Sequence, residues 1–102
     1  MRHRVASLSD LADESAVQVK VGGTPICLAR TQGEVLAVND VCSHADVSLS
    51  EGDVEDGTVE CWLHGSRFDL RTGKPTGLPA TRPVATYTVT IAGDDVLVDV
   101  ES

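Results

Sequence analysis

The sequence predicts an all-β domain interrupted by a loop-rich insertion that carries a site, and three observations lead there. Short alternating or apolar runs, parted by Gly, Asp and Asn turns, recur along the chain and give the period-two signal of strands. Only 3% of the residues are aromatic, so the core must be aliphatic. Between 40 and 80 the alternation breaks down, and this stretch holds two of the three histidines.

The elements follow in order. The start, Met1-Arg2-His3-Arg4, is basic, but Ser7, Ser9, Asp10, Asp13 and Glu14 come before any apolar stretch of signal-peptide length. The expectation is therefore a cytoplasmic chain. Residues 9–14 suggest one helical turn with Ser9 as its cap. Residues 17–21 alternate, Gly22-Gly23 suits a tight hairpin, and a returning strand spans 26–30. Residues 31–34 turn the chain into a third strand at 35–38, which ends at Asn39-Asp40 and completes a meander. Two short strands at 54–55 and 58–60 are joined by Asp56-Gly57. After the insertion, residues 85–91 put Tyr87, Val89 and Ile91 on one face, and Gly93-Asp94-Asp95 turns them into a last strand at 96–100.

At 102 residues and 10.7 kDa the chain is one domain, expected to be a monomer. A chain this short buries only about 60–70% of its unfolded surface, so a cofactor tying loops together would add stability. The formal charge of −8 argues against nucleic acid and against an anionic membrane surface, both of which reward Lys/Arg clusters. No apolar run approaches the roughly 20 residues that a spanning helix needs.

Three cysteines, Cys27, Cys42 and Cys61, make an odd set with no export signal, so metal binding or catalysis is a better expectation than disulfides. Cys27 lies in an apolar strand-like run and reads as a small buried hydrophobe. The other two belong to loop-borne pairs, Cys42-Ser43-His44 and Cys61-Trp62-Leu63-His64, with sixteen residues between His44 and Cys61. Three chemistries use such pairs. A Cys/His nucleophile needs only one of them, which makes the second redundant. A zinc-stabilised structural module needs four ligands on one ion, and the tight spacing of Cys42 and His44 suits that poorly. The third option distributes the ligands over two irons, with thiolates on one and imidazoles on the other.

Cys-x-His followed at this distance by Cys-x-x-His strongly resembles the Rieske [2Fe-2S] family. Gly65-Ser66-Arg67-Phe68-Asp69 is similar to the family segment after the second pair, and Arg71-Thr72-Gly73-Lys74-Pro75 and Leu78-Pro79-Ala80 are similar to its closing loops. The resemblance implies the Rieske fold, an antiparallel β-sandwich base at 1–39 and 81–102 with a cluster-binding subdomain inserted at 40–80. It implies one [2Fe-2S] cluster, with Cys42 and Cys61 on the inner iron and His44 and His64 on the outer one. Trp62, Ser66, Phe68 and Pro79 would surround it, Ser66 as a hydroxyl toward a sulfide or as a plain loop serine.

An oxidised cluster with two thiolates and two neutral imidazoles carries no net charge and takes up an electron more readily than a four-cysteine site. High-potential members resemble this chain in the Cys/His core but add a pair of loop cysteines, and they place a tyrosine where this chain has Phe68. The expected potential is therefore at the low end of the Rieske range, about −150 mV or somewhat above. A ligand imidazole losing its second N–H would make the potential fall in alkali. The resembling carriers pass electrons from a flavin-dependent reductase to a terminal oxygenase. A Rieske oxygenase itself is excluded, because its catalytic iron needs two more histidines and only His3 remains. Service in iron-sulfur assembly, or as a nitrite reductase small subunit, stays open. The acidic residues Asp46, Asp53, Glu55 and Asp56 read as a solvated face that steers basic partners.

Overall fold

A computed structural model describes residues 2–42, 47–63, 65–76 and 82–100. Among the described residues, nine strands are arranged in two antiparallel sheets: β1 (Arg2–Ser7), β2 (Ser15–Val21), β3 (Thr24–Thr31), β4 (Glu34–Asn39), β5 (Val54–Glu55), β6 (Thr58–Glu60), β7 (Arg67–Asp69), β8 (Thr86–Ala92) and β9 (Asp95–Asp99). The larger sheet has the order β1-β9-β8-β4-β3-β2, and the smaller one β5-β6-β7. The meander expected from the first three apolar runs is β2-β3-β4, in continuous register from Ser15↔Arg30 to Ile26↔Asn39.

The larger sheet is two three-stranded halves hinged at one place. β4 and β8 pair only through Ala37↔Tyr87 and Val38↔Thr86. Beyond that hinge the halves face each other across one aliphatic core: Ile26, Leu28 and Ala37 from one side meet Val96 and Val98 from the other. Period-two alternation makes this possible, because Val96, Val98 and Val100 all point inward while Asp95 and Asp99 do not share their face. Tyr87 and Val89 pack on the same core, whereas Ile91 is exposed at the far end.

Two elements differ from the expectation. The basic start forms β1, whose register with β9 shifts between Arg4 and Ala6, and its charged residues hid an edge strand from a hydrophobic reading. The helical turn lies earlier, as a 3-10 turn at Leu8–Asp10, and Ser9 does not cap it. Ser9 lies inside the turn, one residue past its start, and its hydroxyl donates to Asp94 Oδ2 at 2.9 Å and its amide to Asp94 Oδ1 at 2.9 Å, both charge-assisted.

The smaller sheet rests on a second core. Val54, Val59, Phe68 and Leu70 are buried together with Cys27, Ala29 and Val38 of β3 and β4. Its first hairpin turns at Asp56-Gly57, where both residues have positive φ, 50° and 79°, as a two-residue turn with the right-handed twist requires.

Candidate metal centre

The first cysteine loop leaves the end of β4. Asn39 starts it: its side-chain oxygen accepts the Val41 amide at 2.9 Å, an Asx turn that redirects the backbone out of the sheet. Asp40 holds its base. The carboxylate is fully buried and accepts the Ser50 amide on Oδ1 at 2.7 Å, with the Ser50 hydroxyl at 3.0 Å and the Gln18 side-chain amide at 2.6 Å on Oδ2. Its backbone carbonyl accepts the Leu49 amide at 2.7 Å, where a 3-10 turn, Leu49–Glu51, brings the chain back. The sequence reading took Asn39-Asp40 as a strand end and missed this role. The signal was two side chains able to accept backbone N–H groups beside a cysteine pair.

The second cysteine loop joins β6 to β7. The two loops close alike. The Cys42 amide donates to the Val47 carbonyl at 3.0 Å, and the Cys61 amide donates to the Ser66 carbonyl at 2.6 Å, each spanning five residues. The second loop is tightened further by the Gly65 amide on the Cys61 carbonyl at 2.8 Å. Both thiols are buried, at 3% and 0% exposure, and both belong to the core under the smaller sheet. Loops this similar hold two soft donors in one apolar environment, the donor type that selects zinc or iron–sulfur clusters.

His44, His64 and Pro79 lie outside the described residues. Their places in the chain are two residues after Cys42, three after Cys61, and in the segment leading into Val84, respectively. Ser66 is buried beside Cys61, and Phe68 is fully buried in the same core as both thiols. Trp62 and Leu63 differ from plain core packing: they are 50% and 44% exposed and crown the second loop. Cys27 matches its expectation. It is fully buried, and burial first, then the charge of Asp40, pushes its thiol far above the ordinary range, so it stays protonated and inert.

A model of the Rieske [2Fe-2S] domain matches residues 1–88 of the sequence. The chain belongs to the Rieske [2Fe-2S] family. It is 47% identical over 98 residues to the ferredoxin component of biphenyl 2,3-dioxygenase from Rhodococcus jostii, covering 96% of this chain and 92% of that one. Among solved structures, the ferredoxin of carbazole 1,9a-dioxygenase from Nocardioides aromaticivorans superposes with a TM-score of 0.92 at 37% identity, covering 96% of each chain. A complex of reduced oxygenase and oxidised ferredoxin in carbazole 1,9a-dioxygenase matches with a TM-score of 0.89 at 32% identity, over 95% of this chain and 91% of that one. The Rieske cluster fits the donors on view: two buried thiols on matched loops, each followed within three residues by a histidine.

Proposed function

We propose that this Rieske chain is a one-electron carrier that takes electrons from a flavin-dependent reductase and delivers them to a terminal oxygenase. Cys42 and Cys61 would hold the inner iron, and His44 and His64 the outer one. The observation that carries the reading is the matched closure of the two loops around buried thiols, in a chain that aligns over 96% of its length with dioxygenase ferredoxins.

When bound, the cluster supplies a one-electron couple. The residues around it set how that couple is used. Cys42 and Cys61 sit on apolar packing from Leu49, Val59 and Phe68, which keeps water from the inner side. Phe68 offers no hydroxyl, so one donor that would stabilise a reduced cluster is missing, in line with a potential near the low end of the Rieske range. Ser66 holds the Cys61 amide through its carbonyl and is itself buried. The exposed Trp62 and Leu63 give the second loop an apolar tip, and the net charge of −8 suits a partner with a basic rim. With four ligands on two irons no coordination position is left for a substrate, so catalysis belongs to the partner. We place the ligand-bearing subdomain at 40–80 and the base at 1–39 and 81–102.

The test is to purify the chain, assay iron, zinc and labile sulfide, and record the EPR spectrum of the reduced form. Two irons and two sulfides per chain with nitrogen hyperfine coupling are expected. A colourless protein with one zinc would overturn the assignment. Supplying purified reductase and oxygenase components of a biphenyl-type system should then support turnover that depends on the chain.

A further inference from the structure

We propose that Asp40 is a positioning residue whose buried negative charge holds the cluster's potential down, and that Ser50 and Gln18 set how much of that charge the cluster feels. This rests on the cluster assignment above and adds a determinant outside the ligand set.

The carboxylate is fully buried, and among the described residues its hydrogen-bond donors are the neutral groups of Ser50 and Gln18. Both oxygens accept from N–H groups, Ser50 on one and Gln18 on the other, with the Ser50 hydroxyl as a third donor. An ionised carboxylate is acceptor-only, so this set of donors matches its charged form. Three dipoles lessen the charge without cancelling it. Asp40 lies two residues before Cys42, and two residues of even fully extended chain span at most about 7 Å, so its charge stands beside the core that Cys42 and Cys61 share. A fixed anion beside an apolar region weighs against a second negative charge there, because screening by water is excluded. Reduction makes the cluster more negative, so Asp40 opposes it.

A purely structural role makes a different prediction. Asp40 also closes the loop through Ser50 and Leu49. If loop closure were all it did, removing Asp40 or removing its donors would loosen the same loop and move the potential in the same direction. The electrostatic role gives opposite signs. Asp40→Asn removes the charge and keeps an acceptor oxygen for the Ser50 amide, so the reduced state gains. Gln18→Leu and Ser50→Ala leave the charge and strip one donor each, so the reduced state loses.

The experiment is protein-film voltammetry on the cluster-loaded wild type and the three variants, with the EPR spectrum of each reduced form to show that the ligand set is intact. For Asp40→Asn the equilibrium constant for reduction is expected to rise about tenfold, ~59 mV for a one-electron couple. For Gln18→Leu and Ser50→Ala it should fall about threefold. Unchanged potentials, or shifts of one common sign, would overturn the proposal. If Asp40→Asn takes up no cluster, Gln18→Leu and Gln18→Lys decide together, both on β2 and outside both cysteine loops: a fall in the first with a rise in the second supports the proposal, while one common sign or no change refutes it. Failure of the cluster assignment itself would look different, as a wild type without the iron, sulfide or EPR signal.

Discussion

The hydroxyl of Thr31 joins the two sheets: it accepts the Gly57 amide at 3.0 Å and donates to Glu14 Oε2 at 2.6 Å. Thr31 ends β3 in the larger sheet and Gly57 turns the β5-β6 hairpin of the smaller one, so a single oxygen fixes the hairpin to the base. Thr31 is fully buried and Gly57 is buried with it. Thr31→Val keeps the volume but leaves the Gly57 N–H without this acceptor. The expected loss is about 1–3 kcal/mol in urea unfolding of the loaded protein. Thr31→Ser, which keeps the hydroxyl, should recover most of it, and a loss in Thr31→Ser with none in Thr31→Val would show that packing alone matters there.

Cys27 makes stability depend on alkali. Its thiol keeps its proton in the fold, while the unfolded chain releases it above about pH 8.5. The folded state therefore binds more protons at high pH. Stability from this group is complete below about pH 8.5 and declines above it by about 1.4 kcal/mol per pH unit. Cys27→Ala loses some packing at every pH but removes this slope. Urea midpoints of the two proteins between pH 7 and 10 should converge as the pH rises, and parallel curves would contradict the account.

Gly73 sits where two segments touch. It has φ 75°, and a Cβ there would lie 2.1 Å from the Val84 carbonyl oxygen. Its own carbonyl accepts the Val84 amide at 2.8 Å, which ties the turn after β7 to the segment that enters β8. Backbone cannot retreat as a flexible side chain can, so Gly73→Ala combines positive-φ strain with displacement of Val84. Gly23→Ala, at φ 86° with nothing within 4 Å of the added carbon, has the strain alone. The Gly23 variant should lose about 1–2 kcal/mol. The Gly73 variant should lose clearly more and retain less iron per chain. Thermal melts and iron content of the two variants side by side check this.

The parts of the fold and the site that were legible in the sequence are those where one physical signal acts alone. Alternation placed β2, β3, β4, β8 and β9, and the Asp56-Gly57 turn placed the β5-β6 hairpin. β1 escaped because an edge strand is written in charged residues, Arg2, His3 and Arg4, and β7 because three residues, Arg67 to Asp69, are too few to show a period. At the candidate site, residue chemistry singled out Cys42 and Cys61, which the structure buries in one core, while His44 and His64 lie outside the described residues. It did not name Asp40, whose partners Gln18 and Ser50 are 22 and 10 residues away in the chain. Nor did it show that Trp62 and Leu63 face solvent, since apolar residues between two ligands read equally well as core. Contacts between distant segments were hidden, and the surroundings of Asp40 are built from them.

The acidic face is not uniform, and the structure separates its charges. Arg67 on β7 lies 3.1 Å from Glu60 and 3.7 Å from Glu55, so these two are partly neutralised. Asp53 and Asp56 are exposed on either side of β5, and Asp46 lies outside the described residues. Encounter with a basic partner depends on long-range charge, which falls off over about 10 Å at 0.1 M salt. Reduction by a purified flavin-dependent reductase of a dioxygenase system should therefore slow as salt is raised. Asp53→Asn with Asp56→Asn should slow it at low salt and flatten the salt dependence. Glu60→Gln should do less of either, because Arg67 already balances that carboxylate. Stopped-flow reduction rates at several salt concentrations give the comparison. A rate indifferent to salt in the wild type would mean that the face is only solvated, and a larger effect from Glu60→Gln than from the aspartate pair would place the docking surface on the β6-β7 side instead.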